Sequence, residues 1–293
     1  MRANAEAATG GEAAALSATA WRPWWRGVAG VAFAASRASL PLLLVGFLRA
    51  RVPLTAEAML RAFALFFAVP ASAAWFVRRA LAGRVRVGAE TVTINGRTAS
   101  VEVPTAAIAR VAPWRLPLPE AGFGLVLVTG RRLDWAVGAD DPTPLLRALA
   151  DHDVGGAAMA ADHPAVVYAR SRTRFGRWRW THLVARFPLF ALLPTAPLFN
   201  VHQHIAYGGL FGQWYLYSPA AWWGTLALYW AVVTTYLVLY AGVLRGVAEP
   251  VCLLAATVAP SSAARVRRAA ELLIRFLYYG GVPLLLALRL APW

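Results

Sequence analysis

Residues 219–244 read PAAWWGTLALYWAVVTTYLVLYAGVL and carry no charged side chain. A helix of about 20 mostly apolar residues crosses the hydrocarbon core of a bilayer, so this stretch predicts a transmembrane span. Other segments predict spans too, about five in all. Residues 183–202 hold Arg186 near their start. Pro188, Pro194 and Pro197 recur along them, which predicts a bent or broken helix whose neighbours satisfy the freed carbonyls. Residues 60–80 are apolar from Ala62 to Val77, with Pro70 inside. Residues 271–290 contain Pro283 and open with Glu271 and Arg275, acid first, the favourable order for an ion pair along one helix. Residues 26–48 carry Arg37 at their middle. An arginine at the bilayer centre costs at least about 3 kcal/mol, so either Arg37 faces the bundle or a wet cavity, or this segment is re-entrant. Trp24 and Trp25 at its start fit an interfacial belt.

Composition supports this class. The 293-residue chain is 59% hydrophobic and 15% charged, against about 45–50% and about 25% in soluble domains. Disorder is excluded, and a single water-soluble globule is disfavoured. The net charge of +15 comes from 29 basic residues, every one of them Arg. Arginine-rich, lysine-free usage follows from GC-rich coding, so the excess charge says little about partners. A nucleic-acid binder gathers basic residues on a soluble surface. Here they flank apolar runs, and no nucleic acid is expected as a partner. The single Cys252 leaves no disulfide within the chain and no cysteine-rich metal site. Residues 1–20 lack the pattern of a secretion signal, and 1–25 read as a mobile tail.

Arginine placement predicts orientation. Arg78, Arg79, Arg84 and Arg86 follow the second span, Arg170 to Arg179 precede the third, and Arg245, Arg265, Arg267 and Arg268 lie between the fourth and fifth. The loop 203–218 has no Arg. By the positive-inside rule the N-terminus and residues 84–182 are cytoplasmic, 203–218 is external, and a bacterial inner membrane is the expected compartment. Arg49, Arg51 and Arg61, in the first external loop, run against this rule.

Residues 84–150 read differently. Arg84 to Val87 and Thr91 to Ile94 alternate polar and apolar side chains, and Asn95-Gly96 predicts a tight two-residue turn, with 97–103 returning. Residues 108–112 predict another strand, and 123–129 with 132–137 a second hairpin about Gly130. Asp140-Asp141-Pro142 then opens a helix in which Leu145, Leu146 and Leu149 share one face. Five or six antiparallel strands closed by one helix, carried here by Ile108 to Val111, Gly124 to Arg131 and Asp141 to Leu149, resemble the pleckstrin-homology (PH) type barrel of membrane-attached bacterial proteins. The resemblance covers 84–150 only, where any small β-rich domain with a terminal helix is the other reading. It implies binding or scaffolding and transfers no catalytic residue.

Candidate chemistry is sparse. His202, His204, Tyr207 and Gln213 lie in a segment dense in aromatic and amide side chains, and a small-molecule or metal site is sought there first. His-x-His shares a face on a strand and splits on a helix, and a metal site needs further ligands from distant parts of the chain. Arg37, Glu271 and Arg275 are the intramembrane charges. Arg170, Arg172, Arg174, Arg177, Trp178, Arg179 and Trp180, with Phe175 among them, predict a juxtamembrane contact with anionic headgroups. Asp151-His-Asp153 and Asp162-His163 fall in an Ala/Gly-rich stretch read as solvated linker. No hydrolase elbow, phosphate loop, zinc-protease or dinucleotide string is present, and neither a cofactor nor a resident metal is expected.

The chain is therefore expected to be an α-helical polytopic membrane protein with an inserted β-barrel or β-rich domain closed by one helix. The segments are 1–25 tail, 26–80 two spans, 84–150 β domain, 151–182 linker and basic segment, and 183–293 three spans. The expected role is a membrane scaffold or accessory protein whose 84–150 domain binds a protein partner or lipid surface. The alternative is a transporter or channel component with a site near 202–215.

Overall fold

The computed structural model describes residues 15–50, 55–97, 99–175 and 180–290. Its elements begin with β1 (Ala15–Trp21), α1 (Pro23–Arg49) and α2 (Ala56–Ala80). Six strands follow: β2 (Ala82–Val87), β3 (Thr91–Asn95), β4 (Ser100–Pro104), β5 (Ile108–Pro113), β6 (Ala121–Leu127) and β7 (Arg132–Ala139). The rest is helical: α3 (Thr143–Asp151), α4 (Ala157–Ala161), α5 (Pro164–Phe175), α6 (Thr181–Tyr207), α7 (Gly212–Leu216), α8 (Pro219–Val258) and α9 (Ala263–Leu290).

Among the described residues four helices, α1, α2, α6 and α8, are long and apolar enough to cross a membrane. They contain the expected segments 26–48, 60–80, 183–202 and 219–244. The fifth expected segment, 271–290, falls in α9, which is not among these four. The helix α1 is continuous through Arg37. The prolines of α6 do not break it. Pro188 sits inside a π-helical turn, Ala185–Leu189, because a proline without an N–H is accommodated where the backbone ladder widens. In α2 the π turn Ala64–Ala68 lies just ahead of Pro70 for the same reason.

The chain divides into two compact units. The first comprises Met1–Ala34, Ala71–Phe175 and Cys252–Arg267. Its centre is a seven-stranded antiparallel sheet in the order β4-β3-β2-β1-β7-β6-β5. The sheet is open, so the expected barrel closure is corrected: β4 and β5 are edges. The N-terminal tail is corrected as well, since residues 15–21 form the middle strand, with β2 on one side and β7 on the other. Leu16, Ala18 and Ala20 turn to the main core by strand alternation. Two apolar helical segments thus leave and re-enter the sheet between neighbouring strands.

The first hairpin forms in another register than expected. Asn95 pairs with Ser100 and the Gly96 N–H donates to the Ala99 carbonyl, which moves the turn past Asn95-Gly96. That register sets Ile94 against Val101 and Val92 against Val103. A turn at Asn95-Gly96 would have set Ile94 against Arg97, and cross-strand apolar pairing decides the choice. The second hairpin turns at Gly130, whose φ of 78° requires glycine. The Asp141 carboxylate accepts the Thr143 N–H at 3.0 Å at the start of α3, and Leu145, Leu146 and Leu149 are buried in the sheet's core.

Residues 151–175 are not a solvated linker. Val154, Ala157, Ala160 and Val166 join the same core. Their small side chains let α4 lie close, and Gly155 accepts the Val111 N–H of edge strand β5 through its carbonyl at 2.9 Å.

The second unit comprises Ala35–Pro70, Gly176–Val251 and Arg268–Trp293. Ala191, Leu237, Ala241 and Tyr278 form its apolar centre, joined by Phe187, Phe190 and Leu244. Gly242 of α8 lies so close to Leu40 of α1 that a Cβ there would collide with that side chain.

Candidate functional site

Polar chemistry in the first unit gathers on the sheet face opposite the main core, where Thr19 and Trp21 of β1 point. The Trp21 indole, fully buried, donates to Glu120 Oε1 at 2.8 Å. Glu120 Oε2 lies 2.8 Å from an Arg78 guanidinium nitrogen, and that nitrogen also reaches Asp140 Oδ1 at 2.8 Å. Thr19 hydrogen-bonds Glu120 as well. Burial pushes the Glu120 carboxyl above the ordinary carboxylate range, and Arg78, Trp21 and Thr19 draw it partly back. The Arg26 guanidinium stacks over Trp114 at 3.8 Å from the ring centre. Ala29, Val77 and Leu81 pack with Trp21 and Trp114. The first turns of α1 and the last turns of α2 are therefore fastened to the sheet by one buried polar and aromatic knot.

In the second unit, Arg245 of α8 meets Glu271 of α9 with two hydrogen bonds, 3.2 and 3.1 Å, and lies 3.5 Å from Glu249. The expected Glu271–Arg275 pair is not the one formed. Glu271 is buried while Arg275 is exposed, so the carboxylate turns inward to the neighbouring helix. Arg186, buried in the π turn, stacks over Tyr278 at 4.4 Å, and the Tyr278 hydroxyl donates to the Arg186 carbonyl at 2.9 Å.

Residues 202–207 are the last turns of α6, so His202 and His204 fall on different sides of a helix. His202 packs against Tyr207 and Tyr229, whereas His204 is exposed with its Nδ1 2.9 Å from the Asn200 carbonyl. Between them stands Gln203, fully buried. Its amide donates to Gln213 Oε1 at 2.7 Å, and Gln213 donates to Thr225 Oγ1 at 3.0 Å. Sequence reading selected Gln213 but passed over Gln203. The apolar face Ala191, Thr195, Phe199, Gln203, at four-residue spacing, carries the signal. Among the described residues no group of His, Cys, Asp and Glu could hold a metal ion.

No family model, curated protein or solved structure matches the chain.

The remaining selected residues are scattered. Arg37 is on the exposed side of α1, beside buried Ser36 and Ser39. Arg170 is half-buried on α5 and donates to the Ala161 carbonyl at 2.8 Å, which gives it a partner inside the protein. Arg172 and Arg174 lie on the same helix, and Arg174 approaches the Phe175 ring at 5.7 Å. Arg177, Trp178 and Arg179, and the side chain of Trp180, lie outside the described residues.

Proposed function

We propose that the protein is an integral membrane scaffold or accessory subunit whose sheet domain, on the cytoplasmic side of a bacterial inner membrane, engages a protein partner or a lipid surface. The carrying observation is the knot of Trp21, Arg78 and Glu120, which ties the domain to the ends of two apolar helices. A domain tied in this way to the ends of apolar helices is held near the membrane, which suits recruitment. Antiparallel strands followed by α3 support the PH-type resemblance in element order, though here the sheet stays open and residues of α4 and α5 also join its core.

Deleting 84–150 is a poor test, because β1 would lose both its neighbours. Charged replacements at Leu116 and Val128, two exposed apolar residues of the domain, leave the core intact. A stoichiometric partner that co-purifies with the wild type from native membranes, and is lost on Leu116→Glu/Val128→Glu, supports the scaffold. Retention of the same proteins by the variant counts against it.

Transport is the second reading, favoured by the buried Gln203–Gln213–Thr225 chain beside a proline-rich helix. Solute flux in reconstituted vesicles that is abolished by Gln203→Leu supports this alternative.

A further inference from the structure

The loop between β5 and β6, residues 114–120, is tied down along its length yet presents one leucine to the outside. The Trp114 N–H donates to the Gly122 carbonyl at 2.9 Å, and the Trp114 ring is buried under the Arg26 guanidinium. Pro117 and Pro119 are buried as well. The Leu118 N–H donates to the Leu116 carbonyl at 2.9 Å, a tight turn about Pro117. Leu116, at the start of that turn, is 57% exposed. The loop lies at one end of the sheet, and Val128 follows β6 at the other end, about 20 Å away along the strand.

Two apolar helices pass the loop. The Leu118 carbonyl lies against Gly30 of α1, 3.8 Å from where a Cβ would stand. On α2, Val77 packs against the cluster of Trp21, Ala29 and Trp114, so Trp75 and Phe76 just before it stand near the level of Gly30. Both are exposed, as is Val31 of α1. Away from this level, α1 continues from Gly30 to Arg49 and α2 reaches back from Trp75 to Ala56, each about 20 residues and about 30 Å, the thickness of a bilayer's hydrocarbon core. The loop therefore stands where that core would begin, and an exposed tryptophan at this depth fits the membrane–water boundary.

We infer that the 114–120 loop is a membrane-inserting element. Leu116 enters the boundary between lipid headgroups and acyl chains beside α1 and α2, and Arg115, exposed next to it, meets the headgroup phosphates. Insertion takes the leucine's apolar surface out of water, where the buried prolines otherwise hold it. Lipid is the occupant, because Leu116 continues the exposed apolar surface that Val31, Trp75 and Phe76 present on the two helices. The inference rests on the proposed membrane placement of α1 and α2, and at this loop it narrows the domain's counterpart to the lipid surface.

The test uses the full chain with Cys252→Ala and one of Leu116→Cys, Val128→Cys or Trp75→Cys. Each is labelled with an environment-sensitive fluorophore and reconstituted alone in vesicles of phosphatidylethanolamine and phosphatidylglycerol. A spin label high on the lipid acyl chains reports a fluorophore about 5–10 Å within the boundary, and iodide on both sides reports one in water. At 116 the emission should be lost to spin-labelled lipid as fully as at 75 and spared by iodide, and at 128 the reverse is expected. Iodide quenching at 116 as strong as at 128 overturns the inference, as does lipid quenching at 128 equal to that at 116. Iodide quenching at 116 that is present in vesicles and absent in native membranes also overturns it, and assigns Leu116 to a protein partner. The label at 75 separates the two claims. Lipid quenching at 75 without it at 116 sinks loop insertion alone, whereas iodide quenching at both removes the membrane placement beneath it.

Discussion

Glu120 is the most constrained ionisable side chain of the sheet domain. Its carboxyl is held above the ordinary range by burial, so the folded protein binds that proton more tightly than the unfolded chain does. The sign follows: stability is greatest below the ordinary carboxylate value and declines as pH rises through the raised one. Glu120→Gln should flatten this segment of the stability–pH curve measured by thermal unfolding in detergent. An unchanged slope would show that Glu120 does not control it. Trp21→Phe keeps the ring and removes the indole N–H from Glu120 Oε1, and should cost about 1–3 kcal/mol by denaturant unfolding of the domain. Gly138→Ala should be at least as damaging, because the added Cβ would meet both Glu120 Oε1 and the Trp21 ring. None of these residues stood out in the sequence. The alternation Leu16-Ser-Ala-Thr-Ala20 was the signal that β1 existed, but a run of small residues carries little hydrophobic contrast.

Between elements, the ion pair of α8 and α9 is the clearest lock. Glu271 accepts two bonds from Arg245 in a buried setting. Arg245→Met should destabilise by about 1–3 kcal/mol, since it removes the two charge-assisted hydrogen bonds that Arg245 donates to Glu271. Arg245→Met/Glu271→Leu should recover most of the loss, and a double-mutant cycle of melting temperatures measures the coupling. If the two substitutions are simply additive, the pair is not a coupled unit. The sequence offered Arg275 as the partner because four-residue spacing on one helix is visible in a string. A contact from another helix is not, since it depends on which face of α9 turns inward. The first hairpin teaches the same lesson: turn chemistry pointed to Asn95-Gly96, and pairing of Val101 and Val103 with Ile94 and Val92 outweighed it.

For the whole molecule, threading through the membrane is the property to measure. Cys252 is buried, so a Cys252→Ala chain is a background for single-cysteine labelling. A cysteine at Arg97 should react with an impermeant maleimide only after the cytoplasmic side is opened, and one at Gly209 without opening it. The reverse pattern would invert the proposed orientation. Composition, apolar run length and the strand–strand–helix order of 84–150 were legible in the sequence, because burial of apolar surface and the 3.6- and 2-residue periods act along contiguous residues. These determined that apolar helices and a β-rich domain coexist in this chain. That β1 completes the sheet across two apolar helices, that Val154, Ala157, Ala160 and Val166 join its core, and that Glu120, Gln203 and Glu271 are buried were decided only in three dimensions. Those features depend on partners distant in the chain, chosen by packing and by the pairing of buried polar groups.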